Sequence, residues 1–173
     1  MGDEITFLSR AVDQAGDVLD QVHAGQLDRR TPCADWDLAA LADHLVATPA
    51  RFLTMMRGEE PDWSADPPHV TESWGPAFRV SGDDLLHAWH QVEGDPPVPA
   101  EFQVAELAVH TWDVASAIGY PVERLDPEVA ERALGFLQAN LTADNRGPVF
   151  GPERETARGG AYERLAAFAG RQA

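Results

Sequence analysis

The feature that most constrains the fold is the regular spacing of apolar residues near the start of the chain. Between residues 3 and 23 they recur at intervals of three and four, the period expected of an α-helix that buries one face. The stripe consists of Ile5, Leu8, Val12, Ala15, Val18, Leu19 and Val22. The polar sequence GQLDRRTPCAD that follows Ala24 contains a proline, and we expect it to form a loop.

A second helix is predicted over residues 37–58, DLAALADHLVATPARFLTMMRG. Asp35 or Asp37 is expected to cap it, because a short side-chain oxygen can accept the backbone N–H groups of the first turn. Pro49 lacks a backbone N–H, so we expect it to kink the helix or divide it. The predicted buried face contains Leu38, Leu41, Leu45 and Phe52.

The chain then changes from a loop to a third helix. Residues 59–76 are rich in proline and have no helical period, so we predict a long loop, and long loops inside compact domains are often functional. Ser81 followed by Asp84 resembles a capping box, in which polar side chains bind the first backbone N–H groups of a helix. A third helix is therefore predicted over residues 83–94, DDLLHAWHQVEG.

The remainder of the chain also has mainly helical patterns. Further helices are predicted over residues 100–119, 127–141 and 161–170. Gly119 is expected to end the first of these, and Asp126 before Pro127 is typical of the start of the second. Between the last two, the dipeptide Val149-Phe150 is the only hint of a short strand.

The order of these elements predicts an all-α fold, namely a four-helix bundle with one or two additional short helices. A chain of 173 residues with 44% hydrophobic content matches the usual size of one domain, so we expect a single domain over residues 1–173. The sequence leaves open whether the protein is a monomer or a homodimer.

Composition limits the classes of function. The 29 acidic and 13 basic residues give a net charge of −16, which disfavours nucleic acid and anionic membranes as partners. All basic residues other than histidine are arginines, so chemistry that depends on lysine is excluded. The acidic start MGDEITFLSR, the lack of a long apolar segment and the single residue Cys33 together predict a cytoplasmic protein.

Three residues form a candidate metal site. Glu106 and His110 are four positions apart on a predicted helix, so their side chains lie one turn apart on the same face. His44 lies among apolar residues on the second helix, which a bundle would place nearby. Three such ligands leave a zinc position open for water or substrate, the pattern of catalytic sites. The alternative is that each histidine is an ordinary buried, hydrogen-bonded residue, because this spacing also occurs by chance.

Two segments strengthen the metal interpretation. RTPCADWDLAALADHLV resembles the opening motif of the N-terminal metal-binding domain of mycothiol-dependent maleylpyruvate isomerases, within the DinB-like superfamily. ELAVHTWDVASAIG resembles a later motif of the same family, and the C-terminal FGPE and LAAFAGR are similar to its short actinobacterial members. The resemblance therefore extends over nearly the whole chain.

The resemblance implies a DinB-like four-helix bundle with His44, Glu106 and His110 as ligands of a divalent metal. Zinc is the ion expected first, and nickel, iron and manganese are alternatives. It also implies metal-dependent activation of a small thiol of the mycothiol type, for transfer to, or isomerisation of, a small electrophile. The isomerases carry an additional C-terminal domain that this sequence lacks, so we do not expect isomerisation of maleylpyruvate itself. A non-catalytic metal- or ligand-binding module and a metal-dependent hydrolase remain as alternatives.

Residues around the candidate site have alternative interpretations. Asp113 follows His110 by three positions, and it is expected either to orient that ring or to make a local contact. Trp36 and Trp112 are interpreted as core or helix-contact residues. Cys33 precedes a helix start, where a thiolate would be stabilised, but a packing role is favoured.

Two further groups are weaker candidates. His87 and His90 are three positions apart, and a solvated or core-edge role is favoured over a metal pair. Arg146, Arg154 and Arg158 are candidates for recognising an anionic electrophile, because guanidinium groups match carboxylates. Solvated loop charges are the alternative for these arginines.

Overall fold

The apolar stripes of the sequence form the buried faces of α-helices. The structure is a computed structural model and describes residues 2–33, 35–146, 150–156 and 159–171. The helices are α1 (Gly2–Leu19), α2 (Leu38–Met56), α3 (Trp74–His90), α4 (Ala100–Ile118), α5 (Pro127–Asn140) and α6 (Ala161–Phe168). Within these described ranges there are also two short 3-10 turns and an isolated β-bridge, but no extended strand. The prediction of an all-α fold is confirmed.

The first four helices form a bundle around a shared core. Both α1 and α2 pack against α3 and α4, so each member of the bundle has two helical neighbours. Fully buried residues from each of these helices meet in the core, including Leu8, Leu41, Phe78 and Leu107. Helix α5 packs on α4, and α6 packs on α5, which matches the predicted bundle with additional helices.

Several predicted helix ends are confirmed by their local contacts. Of the two candidate caps for α2, Asp37 is the one used, since its side chain accepts the N–H of Ala40 at 2.9 Å. Asp126 likewise accepts the N–H of Glu128 at the start of α5. Gly119 follows α4 with a positive φ of 74°, a conformation that glycine adopts at little cost.

The predicted start of α3 is wrong. The helix begins at Trp74, and Ser81 lies within it with its hydroxyl donating to the carbonyl of Phe78. Pro76 lies in the first turn of α3, where a backbone N–H has no partner within the helix, so the proline is tolerated. Trp74 and Phe78 are buried one turn apart, so the apolar stripe of α3 begins before the predicted cap.

Smaller differences concern α1, α2 and the C-terminal part. Helix α1 ends at Leu19, although Val22 beyond it is still buried. Helix α2 is not divided at Pro49, which is buried in a helix that packs against both α3 and α4. Of the suggested strand dipeptide, Val149 lies outside the described residues and Phe150 is not in a strand. No helix in the described ranges has both the length and the apolar character needed to cross a membrane.

Candidate metal centre

Packing of α2 against α4 brings the three predicted ligands together. The Nε2 atom of His44 lies 3.3 Å from Oε1 of Glu106, and Nε2 of His110 lies 3.3 Å from the same oxygen. His44 and His110 are buried, and the Glu106 side chain is 17% exposed. The predicted juxtaposition of α2 and α4 side chains is thus observed.

The spacing of these donor atoms fits a divalent metal. Zinc binds imidazole nitrogen and carboxylate oxygen at about 2.0–2.2 Å, and tetrahedral geometry then separates neighbouring donors by about 3.3–3.5 Å. The two separations from Glu106 Oε1 are both 3.3 Å, and the ligand atoms of all three residues lie within 4.8 Å of one another. The His44, Glu106 and His110 set therefore has the chemistry and the spacing of a three-residue metal site.

A buried ion pair holds the far side of the His110 ring. The Nδ1 atom of His110 lies 3.2 Å from Oδ2 of Asp113, whose side chain is completely buried. Arg171 donates from Nε to both oxygens of Asp113, at 3.1 and 3.2 Å. An Nδ1–H that donates to Asp113 leaves Nε2 of the ring directed at Glu106. Of the two interpretations of Asp113, the structure supports the one in which it orients His110.

The far side of the His44 ring faces an arginine. Nη1 of Arg51 lies 3.2 Å from Nδ1 of His44, and Nη2 donates to the carbonyl of Ala65 at 2.8 Å. A guanidinium group can only donate hydrogen bonds, so Nδ1 of His44 must be the acceptor in this contact. A neutral ring then carries its proton on Nε2, where it donates to Glu106.

The electrostatics of the cluster reflect burial and mutual contact. Burial opposes ionisation of Glu106, but His110 and His44 outweigh it and hold the pKa of Glu106 far below its usual range. Burial also opposes charge on His110, yet Glu106 and Asp113 raise the pKa of His110 to about 9. Burial lowers the pKa of His44, and the charges of His110 and Arg51 lower it further. The ionised carboxylate of Glu106 thus contacts a charged His110 ring and a neutral His44 ring.

A cavity of about 400 Å³ opens onto His44. Its walls come from the start of α2, from the middle of α2 and from the long loop, and they comprise Trp36, Ala40, Asp43, His44, Arg51 and residues 63–67. The ring centroid of Trp36 lies 4.5 Å from that of His44 and 5.8 Å from that of His110. Trp36 is half-buried and covers both histidines, so it lines the site and is more than the core contact that the sequence suggested.

The proline-rich loop is tied to α2 beside this cavity. Asp43 on α2 accepts the backbone N–H of Val70 at 2.9 Å and lies 2.7 Å from Nδ1 of His69. Trp63 in the same loop lies against His44 and under the Arg51 guanidinium. The loop predicted from residues 59–76 therefore forms part of the site wall.

Cys33 lies close to His110 and Asp113. Its sulfur and the ligand atoms of His110 and Asp113 lie within 4.8 Å of one another, a second grouping that has the residue types of a metal site. Asp113 is already paired with Arg171, and burial raises the pKa of Cys33 to about 11. This environment favours a protonated thiol that packs beside the site, as preferred from the sequence, over a stabilised thiolate.

The weaker sequence candidates lie elsewhere. His87 and His90 are exposed on α3, and no metal-type grouping among the described residues includes them. Arg146 donates to the carbonyls of Gly151 and Phe168, so its guanidinium has a structural role. Arg154 is exposed at a larger cavity that shares Trp36 with the one at His44 but does not include the candidate ligands, and Arg158 lies outside the described residues. Trp112 is buried, as expected of a core residue.

The sequence did not predict the contacts made by Arg51, Arg171 or His69. Arg51 follows His44 by seven positions, or two helical turns, so the spacing placed it on the same face of α2. Arg171 and His69 approach from distant parts of the chain, and no periodic pattern connects them to the site.

The fold and the site together define an all-α bundle protein with a His-Glu-His cluster that could hold a metal ion. Two proteins of Mycobacterium tuberculosis, from strains CDC 1551 / Oshkosh and ATCC 25618 / H37Rv, are each 28% identical to it over 191 aligned positions. The alignments cover 98% of this chain and 98% of each relative, and both relatives are described as uncharacterized proteins. No family model and no solved structure matches the chain.

Proposed function

We propose that this protein binds one divalent metal ion, zinc in the first instance, through His44, Glu106 and His110. The proposed reaction is metal-dependent transfer of a small thiol, of the mycothiol type, to a small electrophile, or a thiol-dependent isomerisation. The observation that carries the metal site is the pair of 3.3 Å separations that join both histidine Nε2 atoms to one oxygen of Glu106.

Two features of the surroundings support a reactive site over a purely structural one. Three protein ligands leave a coordination position open, whereas structural zinc sites are closed by four. The adjoining cavity combines the aromatic rings of Trp36 and Trp63 with polar side chains that include Asp43 and Arg51. A polar group within reach of a bound substrate is what catalysis needs and simple retention does not.

Each residue has a distinct part in the proposed mechanism. An ion at this site would lower the pKa of a thiol that ligates it, so that the thiolate attacks at neutral pH. His44, Glu106 and His110 would hold the ion, and Asp113 fixes the orientation of the His110 ring. Trp36 covers the histidines and limits the access of water to the site.

The reaction balances without an oxidant or a reductant. The S–H bond of the thiol breaks and its proton passes to solvent, while the sulfur electron pair forms a bond to an electrophilic carbon. When that carbon belongs to an activated double bond, the neighbouring carbon takes up a proton and completes the addition. In an isomerisation the neighbouring carbon keeps the electron pair of the former double bond and takes up no proton; after rotation this pair re-forms the double bond as the C–S bond breaks, and the released thiolate takes up a proton.

Metal content tests the first half of the proposal. Protein purified without added metal or chelator should contain about one equivalent of a divalent metal, or take up one equivalent of zinc when this is supplied. His44→Ala and His110→Ala should each lose this binding, whereas His87→Ala, which changes an exposed histidine on α3, should retain it. A parent protein that takes up no zinc, nickel, manganese or iron(II) would overturn the site.

Activity tests the second half. The zinc-loaded protein should accelerate addition of a thiol, mycothiol included, to maleate or to its diethyl ester, and the His110→Ala variant should not. A protein that binds zinc but gives the same rate as this variant with every thiol and with both electrophiles would refute the thiol transferase. The non-catalytic binding module would then be the better interpretation.

A further inference from the structure

The cavity beside the candidate metal site contains one permanent cation among the described residues that line it, Arg51. The remaining charged side chains of the lining are the carboxylates Asp43 and Asp66 and the ring of His44. Asp43 is already engaged by His69 and by the N–H of Val70. Arg51 is therefore the group in this wall that an anionic ligand would recognise.

The present contacts of Arg51 leave much of its hydrogen-bonding capacity unused. A guanidinium group has five N–H donors, and among the described residues Arg51 uses one on His44 and one on Ala65. The central carbon of its guanidinium group lies 5.4 Å from the ring centroid of Trp63, a lining residue of the cavity that is itself 41% exposed. The guanidinium is thus held against an aromatic face, at the edge of the cavity, with donors to spare.

The contact between Arg51 and His44 is not compatible with a metal on the same ring. Metal binding through Nε2 needs a lone pair on that atom, so a neutral ring carries its proton on Nδ1. Nδ1–H would then meet an N–H of Arg51, which places two donors 3.2 Å apart with no acceptor between them. A divalent ion would add repulsion between like charges.

His110 makes the opposite arrangement. Its Nδ1 faces the Asp113 carboxylate, an acceptor, which favours the tautomer that a metal on Nε2 requires. When a metal binds, the hydrogen bond at Nδ1 must therefore change at His44 but not at His110.

We propose that Arg51 is the anion-binding group of this cavity, specific for a carboxylate on the electrophilic substrate, and that its guanidinium leaves Nδ1 of His44 when Nε2 becomes a metal ligand. The proposal rests on the metal site proposed above and specifies its substrate class. Release from His44 frees the Nη1 donors of Arg51. A carboxylate can then accept two parallel N–H donors from the guanidinium group. Binding of the metal would then strengthen binding of the anion, and binding of the anion would strengthen binding of the metal.

Zinc affinity tests the release step. Arg51→Met removes the competing donor and its charge, so we expect zinc to bind about two- to tenfold more tightly than in the parent protein. Arg51→Gln should show the same or a larger gain, because its amide oxygen can accept from Nδ1–H. Arg57→Met is the matched control, since Arg57 is an exposed arginine just beyond α2, and it should leave zinc affinity unchanged.

The position of the proton on His44 gives a readout that does not depend on activity. In ¹⁵N-histidine-labelled protein, His44 should carry its proton on Nε2 without metal and on Nδ1 with zinc, and its resonances are assigned with the His44→Ala variant. Loss of the preference for Nε2–H in metal-free Arg51→Met would support the role of Arg51. The same tautomer with and without zinc would overturn the release step.

Succinate is the probe for anion binding. Calorimetry should show tighter binding of succinate to zinc-loaded than to zinc-free parent protein, and about tenfold weaker binding to zinc-loaded Arg51→Met. Arg57→Met should behave like the parent. Equal succinate affinity in the parent and Arg51→Met would refute the anion role while the metal site stands. A parent protein that binds no zinc would overturn the proposed function and this inference with it.

Discussion

His110 and His44 face the same oxygen of Glu106, but the groups behind the two rings differ. Behind His110 lie a buried carboxylate and a buried arginine, Asp113 and Arg171, which are fixed to one another. Behind His44 lies a half-exposed arginine, Arg51, which is fixed to a loop. Behind His110 the supporting contact is therefore rigid and already suited to a metal ligand, whereas the contact behind His44 can rearrange.

This difference predicts that the two halves respond unequally to substitution. The His110 half should depend on its supporting charges for stability as well as for metal binding. The His44 half should tolerate the loss of its support and show the change mainly in ligand binding.

Replacement of Asp113 should have the largest effect on stability. Asp113→Ala leaves the Arg171 guanidinium buried without the carboxylate it now contacts, and breaking such a pair costs about 3–5 kcal/mol. We expect the free energy of unfolding of the metal-free protein, from urea titration, to fall by that amount. Zinc affinity of the folded variant should fall by about 10- to 100-fold, because Asp113 orients His110.

Two further variants test the cause of this loss. Arg171→Met combined with Asp113→Ala should recover part of the stability, because the buried guanidinium charge is then removed together with the carboxylate that it contacts. Asp3→Ala breaks an exposed ion pair with Arg132 and should have little effect. A small change on Asp113→Ala would contradict a rigid His110 half.

The reactivity of the Cys33 thiol reports on burial next to His110 and Asp113. Its pKa of about 11, against an ordinary value of 9.0, gives about a hundredfold less thiolate near pH 8. The folded protein should therefore react with iodoacetamide about a hundredfold more slowly than the urea-unfolded protein, with a rate that rises as the pH approaches 11. Because the folded pKa is raised, this contribution to stability is present below about pH 9 and lost as the pH rises towards 11.

An equal rate of reaction with iodoacetamide in the folded and unfolded protein would show that the Cys33 thiol is readily exposed to solvent. Addition of zinc should leave the slow rate unchanged, since the proposed ligands do not include this thiol. Protection that appears only with zinc would instead favour the alternative grouping of Cys33 with His110 and Asp113.

The loop over the His44 half should show an intermediate effect. Asp43→Ala removes the acceptor of the Val70 N–H and the partner of His69, at a cost of about 1–2 kcal/mol. Hydrogen exchange should become faster at Val70 and in the rest of the loop, but not in the core of α4. Asp66→Ala, an exposed change in the same loop, is the control, and similar exchange rates in both variants would argue against a tethered loop.

Local patterns predicted the part of the site that lies within single helices. The four-residue spacing of Glu106 and His110 placed them on one face of α4. The cap at Asp37 set the start of α2 and thus the position of His44 along that helix. The start of α3 was missed because Gly75-Pro76 has the composition of a loop, although tertiary burial of Trp74 and Phe78 makes it helical.

The supports of the site were harder to predict because they come from distant sequence. Arg171 reaches Asp113 from 58 positions away, and His69 reaches Asp43 from 26 positions away. No helical or strand period connects such residues, so only the packing of the bundle reveals their contacts. Arg51 is the exception, since two turns of one helix separate it from His44.

Replacement of Arg51 should have the smallest effect on stability and thereby sharpen the contrast with Asp113. Its side chain is half-exposed, and its methylene groups are retained in part by Arg51→Met, so we expect urea unfolding to change by less than about 1 kcal/mol. The same variant is expected to alter zinc and succinate binding, so binding and stability separate at this position. A loss of stability as large as that of Asp113→Ala would mean that Arg51 is a structural support, and that both halves of the site are equally rigid.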